Sequence, residues 1–166
     1  HPFLDGNGRI GRLLITFYLC QQGVLDKPLL YLSGFFKKYR QEYYDRLNAV
    51  HEKDDIENWL KFFLEGVAVT ANQAVETSKK IIKLRDEDAK KVATMGRSSV
   101  KASLLFNYLF HTPILTIKET EKITGLKNPN ALALINKMVD LGILKEITGK
   151  PRNRIFRYQK YVDLFE

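Results

Sequence analysis

The sequence predicts a mainly α chain with one small β-hairpin near its C-terminus. Three observations carry that prediction. Apolar residues recur at three- and four-residue steps through several stretches, as one face of a helix requires. Glycines or capping residues stand where those stretches start and stop. Late in the chain, two short apolar runs flank a cluster of turn residues.

The elements follow in order. After a Gly-rich opening, Ile10 to Gln22 is apolar at Ile10, Leu13, Leu14, Phe17 and Tyr18, and Gly23 supplies a C-terminal stop. Leu29 to Leu47 is helix-compatible and aromatic, with Tyr31, Phe35, Phe36, Tyr39, Tyr43 and Tyr44 at helical steps, most of them expected in the core. Asp54 or Asp55 caps the next helix, where acidic charge also meets the positive end of the dipole. From Ile56 to about Leu84 one long amphipathic helix is expected, on the steps Ile56, Leu60, Phe63, Leu64, Val67, Ala71, Ala74 and Val75. Arg85 to Gly96 turns polar and charged, and a domain boundary is placed there, dividing the chain into 1–95 and 96–166.

The second part reads helix, helix, helix, hairpin. Val100 to Phe110 is apolar at Val100, Leu104, Leu105 and Tyr108. Thr116-Ile117-Lys118-Glu119 is a capping box, and Gly125 ends the short helix that it opens. Asn128 caps the next, with Pro129 at its first position, a buried stripe of Ala131, Leu132, Ile135, Met138 and Val139, and Gly142 as its stop. Ile143–Ile147 and Ile155–Tyr158 then flank Thr148-Gly149-Lys150-Pro151 as a hairpin. Two helices joined by a tight glycine turn and followed by a basic hairpin make a winged helix-turn-helix.

Composition excludes several classes. The chain has 166 residues, 45% hydrophobic and 28% charged, with a net charge of +8. That is ample for a packed core and unlike a disordered or collagen-like chain. No run approaches the ~20 apolar residues of a membrane span. The single cysteine, Cys20, forms no internal disulfide, fits a reducing, cytoplasmic setting, and reads as a small core residue. Three scattered histidines and one cysteine have no zinc spacing. Residues 1–97 carry 16 Lys+Arg and 13 Asp+Glu, and residues 98–166 carry 11 and 6, so the shorter part is the more basic. The chain opens on His1-Pro2-Phe3 without an initiator Met, and we read it as a fragment with a further N-terminal part.

The chemistry sits in the first twelve residues, His1-Pro2-Phe3-Leu4-Asp5-Gly6-Asn7-Gly8-Arg9-Ile10-Gly11-Arg12. Gly6-Asn7-Gly8 can turn successive N–H groups into one concavity, an anion-binding nest at the N-terminus of a helix. Arg9 and Arg12 lie three apart and can fork onto phosphate oxygens. Asp5 is a hard oxygen ligand for a Mg²⁺ shared with phosphates. His1, with an ordinary pKa near ~6.5, can take a hydroxyl proton at neutral pH. Such a set suits phosphoryl or nucleotidyl transfer, in which catalysis is positioning plus charge neutralisation.

The string HPFLDGNGRIGR resembles the Fic-family motif His-Pro-Phe-x-Asp/Glu-Gly-Asn-Gly-Arg-x-x-Arg at every specified position. The aromatic segment around Tyr43-Tyr44, the acidic break and the long helix resemble the rest of a Fic core, here truncated ahead of its motif. The winged helix resembles that of bacterial Fic proteins that carry one. The resemblance implies a protein adenylyltransferase, which moves AMP from ATP with Mg²⁺ onto a Ser, Thr or Tyr hydroxyl of a target protein. His1 would deprotonate that hydroxyl and Asp5 would hold Mg²⁺. Gly6, Asn7 and Gly8 would cradle the α- and β-phosphates within an ATP site running on through Arg9, Ile10, Gly11 and Arg12. Arg9 and Arg12 would neutralise the outer phosphates, and Arg12 is the residue that the family's inhibitory glutamate engages. Tyr43 would border the base, as would His51. Phosphocholine and phosphate transfer also occur in the family.

Two family elements are not found in the sequence. The β-hairpin flap that docks the target lies upstream of the motif in the family. No Ser/Thr-x-x-x-Glu-Gly/Asn inhibitory motif occurs in these residues. The fragment alone is therefore expected to be inactive. The second function class is a DNA-binding transcriptional regulator whose Fic half senses nucleotide or modifies itself. Its DNA contacts would be Lys150, Arg152, Arg154 and Arg157 of the wing, with Lys145 and Lys160 nearby. Only about half of those can share one face of a hairpin. Homodimerisation or target docking is the competing role for the wing.

Overall fold

The computed structural model describes residues 2–26 and 31–165. It is mainly α, with a small three-stranded antiparallel sheet. The helices are α1 (Asn7–Gln21), α2 (Leu32–Lys38), α3 (Arg40–Lys53), α4 (Ile56–Ala93), α5 (Ser99–Leu109), α6 (Ile117–Thr124), α7 (Asn128–Asp140) and α8 (Gln159–Val162). The strands are β1 (Ile114–Thr116), β2 (Lys145–Glu146) and β3 (Ile155–Arg157). None of the described helices is long and apolar enough to cross a membrane. The chain forms two compact units, residues 1–76 and 77–166. The polar stretch from Arg85 is still helical, because α4 continues to Ala93 and contributes buried Asp88 and Val92 to the second unit.

In the first unit, α1 starts at Asn7, earlier than its apolar pattern, because Gly6 at φ 80° turns the chain into the helix. It stops at Gly23 (φ 70°), whose N–H donates to Cys20 C=O while Val24 N–H donates to Leu19 C=O, a Schellman closure. Leu13, Leu14, Phe17 and Tyr18 are more than half exposed, while Ile15 and Leu19 pack inward and Cys20 is half-buried. The aromatic stretch, whose Leu29 and Leu30 lie outside the described residues, is two helices. Tyr39 (φ −106°, ψ 43°) breaks helical geometry between α2 and α3. Leu32, Phe35 and Phe36 are buried, whereas Tyr31 and Tyr44 are exposed, so the aromatic core is smaller than the periodicity implied.

The α4 face that meets this core is also displaced from the expected one. Phe62 is buried, with Trp59, Phe63 and Val67 packed beside it, and Ile56, Leu60, Leu64 and Val75 are exposed. Gly66 allows the approach, since a Cβ there would lie 2.7 Å from the Phe35 ring. Asp54, at φ 54°, ends α3, and Asp55 caps α4 by accepting from Asn58 N–H at 3.4 Å.

The second unit has the order α5, β1, α6, α7, β2, β3, with sheet order β1-β3-β2, the arrangement of a winged helix-turn-helix. The Thr116–Glu119 capping box is formed in both directions, with Thr116 N–H donating to the Glu119 carboxylate at 2.7 Å. Gly125 (φ 69°) ends α6, and Gly142 (φ 66°) closes α7. Asn128 is the first residue of α7 rather than its cap; Lys127 occupies the cap without a side-chain bond. The buried α7 stripe is Ala131, Leu134, Ile135 and Met138, with Leu132 and Val139 half-buried.

In α5 the buried residues are Ala102, Leu105, Phe106 and Leu109, and Val100 and Leu104 are exposed. Small Ala102 marks the true inner face, which a count of large apolar residues overlooks. The three-stranded sheet covers this core with Leu115 and Phe156, which stand opposite each other in the β1–β3 register.

Candidate functional site

The first candidate site grows from the entrance to α1. Phe3 N–H donates to Asn7 Oδ1 at 3.1 Å, and the Asn7 amide donates back to Phe3 C=O at 2.6 Å. This closed loop commits the Asn7 side chain to shaping the turn, leaving its backbone N–H at the helix mouth. The first intrahelical bond runs from Ile10 N–H to Gly6 C=O at 3.0 Å. The N–H groups of Asn7, Gly8 and Arg9 therefore precede the helical ladder and, with no acceptor among the described residues, are open to an anion. The Ile10 N–H is already engaged, so Ile10 offers no backbone donor. Gly11 has open space beside its Cα, so nothing crowds that position.

The two arginines take different partners. Arg9 pairs with Asp5 at 3.2 Å, an exposed contact worth little by itself. Arg12 lies over the Tyr43 ring, 5.9 Å from its centroid. A Cβ on Gly8 would come within 3.3 Å of Arg12 Nη1, so glycine there keeps room for the guanidinium. Arg12 and Tyr43 line a pocket of about 230 Å³ together with Ser33, Lys37, Arg40 and Tyr44. Among the described residues three cations and no carboxylate line it, an environment that favours an anion.

Lys37 and Arg40 were not singled out from the sequence. Ser33, Lys37, Arg40 and Tyr44 do recur at four- and three-residue steps, a signal hidden by the aromatic pattern. His51 is exposed in the last turn of α3 and does not line this pocket. His1 lies outside the described residues.

Among the described residues no group of three or more His, Cys, Asp or Glu could hold a metal ion. Asp5 is a single, exposed carboxylate, paired with Arg9, just ahead of the mouth of α1. This fits a Mg²⁺ held by one side chain and by substrate phosphates rather than in a protein cage.

The second candidate site is a cleft of about 580 Å³ between the hairpin and the starts of α6 and α7, lined by Lys118, Asn128, Arg152 and Arg154 among others. Arg154 also lies over the Phe156 ring, 5.6 Å from its centroid. The wing turn is tied by Glu146, whose carboxylate accepts from the Thr148 hydroxyl, from Thr148 N–H at 2.8 Å and from Gly149 N–H at 3.1 Å. Those bonds, with the Thr148 hydroxyl foremost, hold the Glu146 pKa below its ordinary value.

The structure does not bring all the wing cations to one place. Arg152 and Arg154 face the cleft, whereas Lys150 is exposed outside its lining. Arg157 sits in the central strand opposite Ile114 and Lys145, half-buried, away from the cleft residues. Lys160 follows the strand in α8, with its ammonium near Gly142. A search of protein-family models finds no match for this chain.

Proposed function

We propose that the protein transfers AMP from ATP to a hydroxyl side chain of a target protein. The observation that carries this reading is the run HPFLDGNGRIGR, which gathers a base, a carboxylate, a glycine nest and two arginines within twelve residues. Two features of the first unit support it: N–H groups at the mouth of α1 without an acceptor among the described residues, and the cationic pocket around Arg12 and Tyr43.

In this reading His1 takes the proton of the target hydroxyl, and the oxygen attacks the α-phosphorus of ATP. The bond from that phosphorus to the bridging oxygen breaks, pyrophosphate leaves, and a phosphodiester joins AMP to the target. The N–H groups of Asn7, Gly8 and Arg9 hold phosphate oxygens in place. Arg9 and Arg12 offset the charge that grows on the leaving pyrophosphate. Mg²⁺ at Asp5 would screen the phosphates from one another. Tyr43, with its ring beside Arg12, offers an aromatic surface for the base.

Labelled ATP tests the reading on the full-length protein. Transfer of the α-phosphate label to protein, with no transfer of the γ-phosphate label, is the expected outcome. Transfer of the γ label would identify phosphate transfer instead, and transfer of neither would remove ATP as the donor.

A further inference from the structure

The second unit holds a cavity that neither the glycine-rich motif nor the wing accounts for. It is a cleft of about 440 Å³ built by three elements: α4, the end of α5, and α8. Ile81, Ile82 and Arg85 share one face of α4, and Asn107, Phe110 and His111 share one face where α5 closes. Tyr161 of α8 completes the lining. Ile81, Phe110 and Tyr161 are half-buried and form the floor, while Ile82, Arg85, Asn107 and His111 are exposed and form the rim. Phe110 and Tyr161 meet edge to face with centroids 5.2 Å apart, so the floor is aromatic.

Arg85 opens the run Arg85-Asp86-Glu87-Asp88, yet it pairs with none of those carboxylates among the described residues. Asp88 bonds to Tyr158 and Lys91, and Glu87 lies 4.0 Å from Lys83. The Arg85 guanidinium rests instead over the Phe110 ring, 6.0 Å from its centroid. Among the described residues the side chains of Asn107 and His111 make no hydrogen bond, and no carboxylate lines the cleft. Three polar groups with spare donors thus surround an apolar floor, which is the anatomy of a small-molecule site. The volume also lies within the range of about 300–1,000 Å³ that such sites span.

The donor set narrows the ligand. The wing cleft carries Lys118, Arg152 and Arg154, and a cleft beside the start of α5 carries Arg97, Lys101 and Lys137, so both suit multiply charged anions. Here a single guanidinium stands at the rim, which matches one carboxylate accepting two parallel N–H bonds. The Asn107 amide and the His111 ring can each add a bond to the remaining lone pairs. An uncharged ligand would leave Arg85 without a partner, and a phosphate would bring more charge than one cation offsets. We propose that this cleft binds a small aromatic monocarboxylate, with Arg85 on the carboxylate and the ring against Ile81, Phe110 and Tyr161. The inference is independent of nucleotide transfer, since every residue that lines the cleft belongs to the second unit.

The test is saturation-transfer NMR of phenylacetate with the full-length protein, beside 2-phenylethanol, which has the ring without the carboxylate. Phenylacetate has about ten heavy atoms, so a Kd in the range of tens of micromolar to a few millimolar is expected. The charge-assisted pair with Arg85 predicts a preference for the acid of roughly 10-fold or more. Arg85→Gln should weaken phenylacetate by about that factor and leave the alcohol unchanged. Ile82 is an exposed rim residue, so Ile82→Glu tests the same charge logic without disturbing the core. It places a carboxylate facing that of the ligand and should weaken phenylacetate several-fold, with the alcohol and the melting temperature unchanged.

Three results would overturn the proposal. One is no saturation transfer to phenylacetate at about 10 mM, well above the expected range. Another is equal binding of the acid and the alcohol. The last is an Arg85→Gln protein that keeps the wild-type preference for the acid, which would place the carboxylate at one of the other cationic clefts.

Discussion

Tyr158 donates its phenolic hydroxyl to the buried carboxylate of Asp88 at 2.8 Å, tying the end of β3 to the second half of α4. Lys91 engages the other oxygen of the same carboxylate from one turn along the helix. Asp88 is fully buried, so its charge is tolerated through these two partners. Removing the Tyr158 hydroxyl (Tyr158→Phe) should cost about 2 kcal/mol of stability. Asp88→Ala should cost more, about 3 kcal/mol, because it strands the buried hydroxyl and unpairs Lys91. Urea unfolding of the two variants checks this ordering, and a Tyr158→Phe protein as stable as wild type would contradict it.

The same cluster sets an alkaline limit. Burial first, then the bond to Asp88, raises the Tyr158 pKa above its ordinary value, and the bond to Asp88 raises that of Lys91. Both pKa values are higher folded than unfolded, so the stabilisation is complete below the unfolded value near 10 and is lost as pH rises above it. Stability should therefore fall above about pH 10, and Tyr158→Phe should remove part of that slope. Unfolding free energies from pH 8 to 11 provide the comparison, and identical slopes would refute it.

Gly66 illustrates two opposing effects. In a helix interior Gly→Ala ordinarily gains about 1 kcal/mol. Here the added methyl meets the Phe35 ring at 2.7 Å, inside a cluster where Phe35 already packs against Phe62 with centroids 5.3 Å apart. Overpacking costs about 1–3 kcal/mol, so a net loss is expected for Gly66→Ala. A rise in melting temperature would show that the ring moves aside freely.

At the first candidate site, Gly8→Ala presses on Arg12 while favouring the helix. Nucleotide affinity should fall several-fold with melting temperature kept or raised. Arg12→Ala should weaken ATP binding by roughly 10-fold or more while leaving adenosine binding nearly unchanged, as expected for a charge-assisted phosphate contact worth about 1.5–3 kcal/mol. Calorimetry with ATP and adenosine separates the two.

The winged-helix order was legible because its punctuation is chemical. Thr116 with Glu119, Gly125 and Gly142 each need a particular residue type at one position, and each stands where the sequence puts it. Faces were less legible than elements. In α1, α4 and α5 large apolar residues lie on more than one side, so Leu14, Leu60 and Leu104 look like core while Ile15, Phe62 and Ala102 pack inward. The break at Tyr39 leaves no Gly or Pro mark, since its N–H still bonds to Phe35 C=O at 3.0 Å while its own carbonyl begins α3. The pairing of Asp88 with Tyr158 joins residues 70 positions apart and has no local signature. The glycine nest could be read from HPFLDGNGRIGR, but the cations Lys37 and Arg40 required the fold to bring them beside Arg12.

The most direct measurement is the intact mass of a hydroxyl-bearing acceptor protein, or of the full-length protein itself, after incubation with ATP and Mg²⁺. Wild type and His1→Ala are compared. A gain of one AMP per modified site is expected with wild type and none with the variant. An equal gain with both would remove His1 as the base. No gain with wild type, even at high enzyme and with any inhibitory glutamate facing Arg12 mutated, would contradict AMP transfer itself.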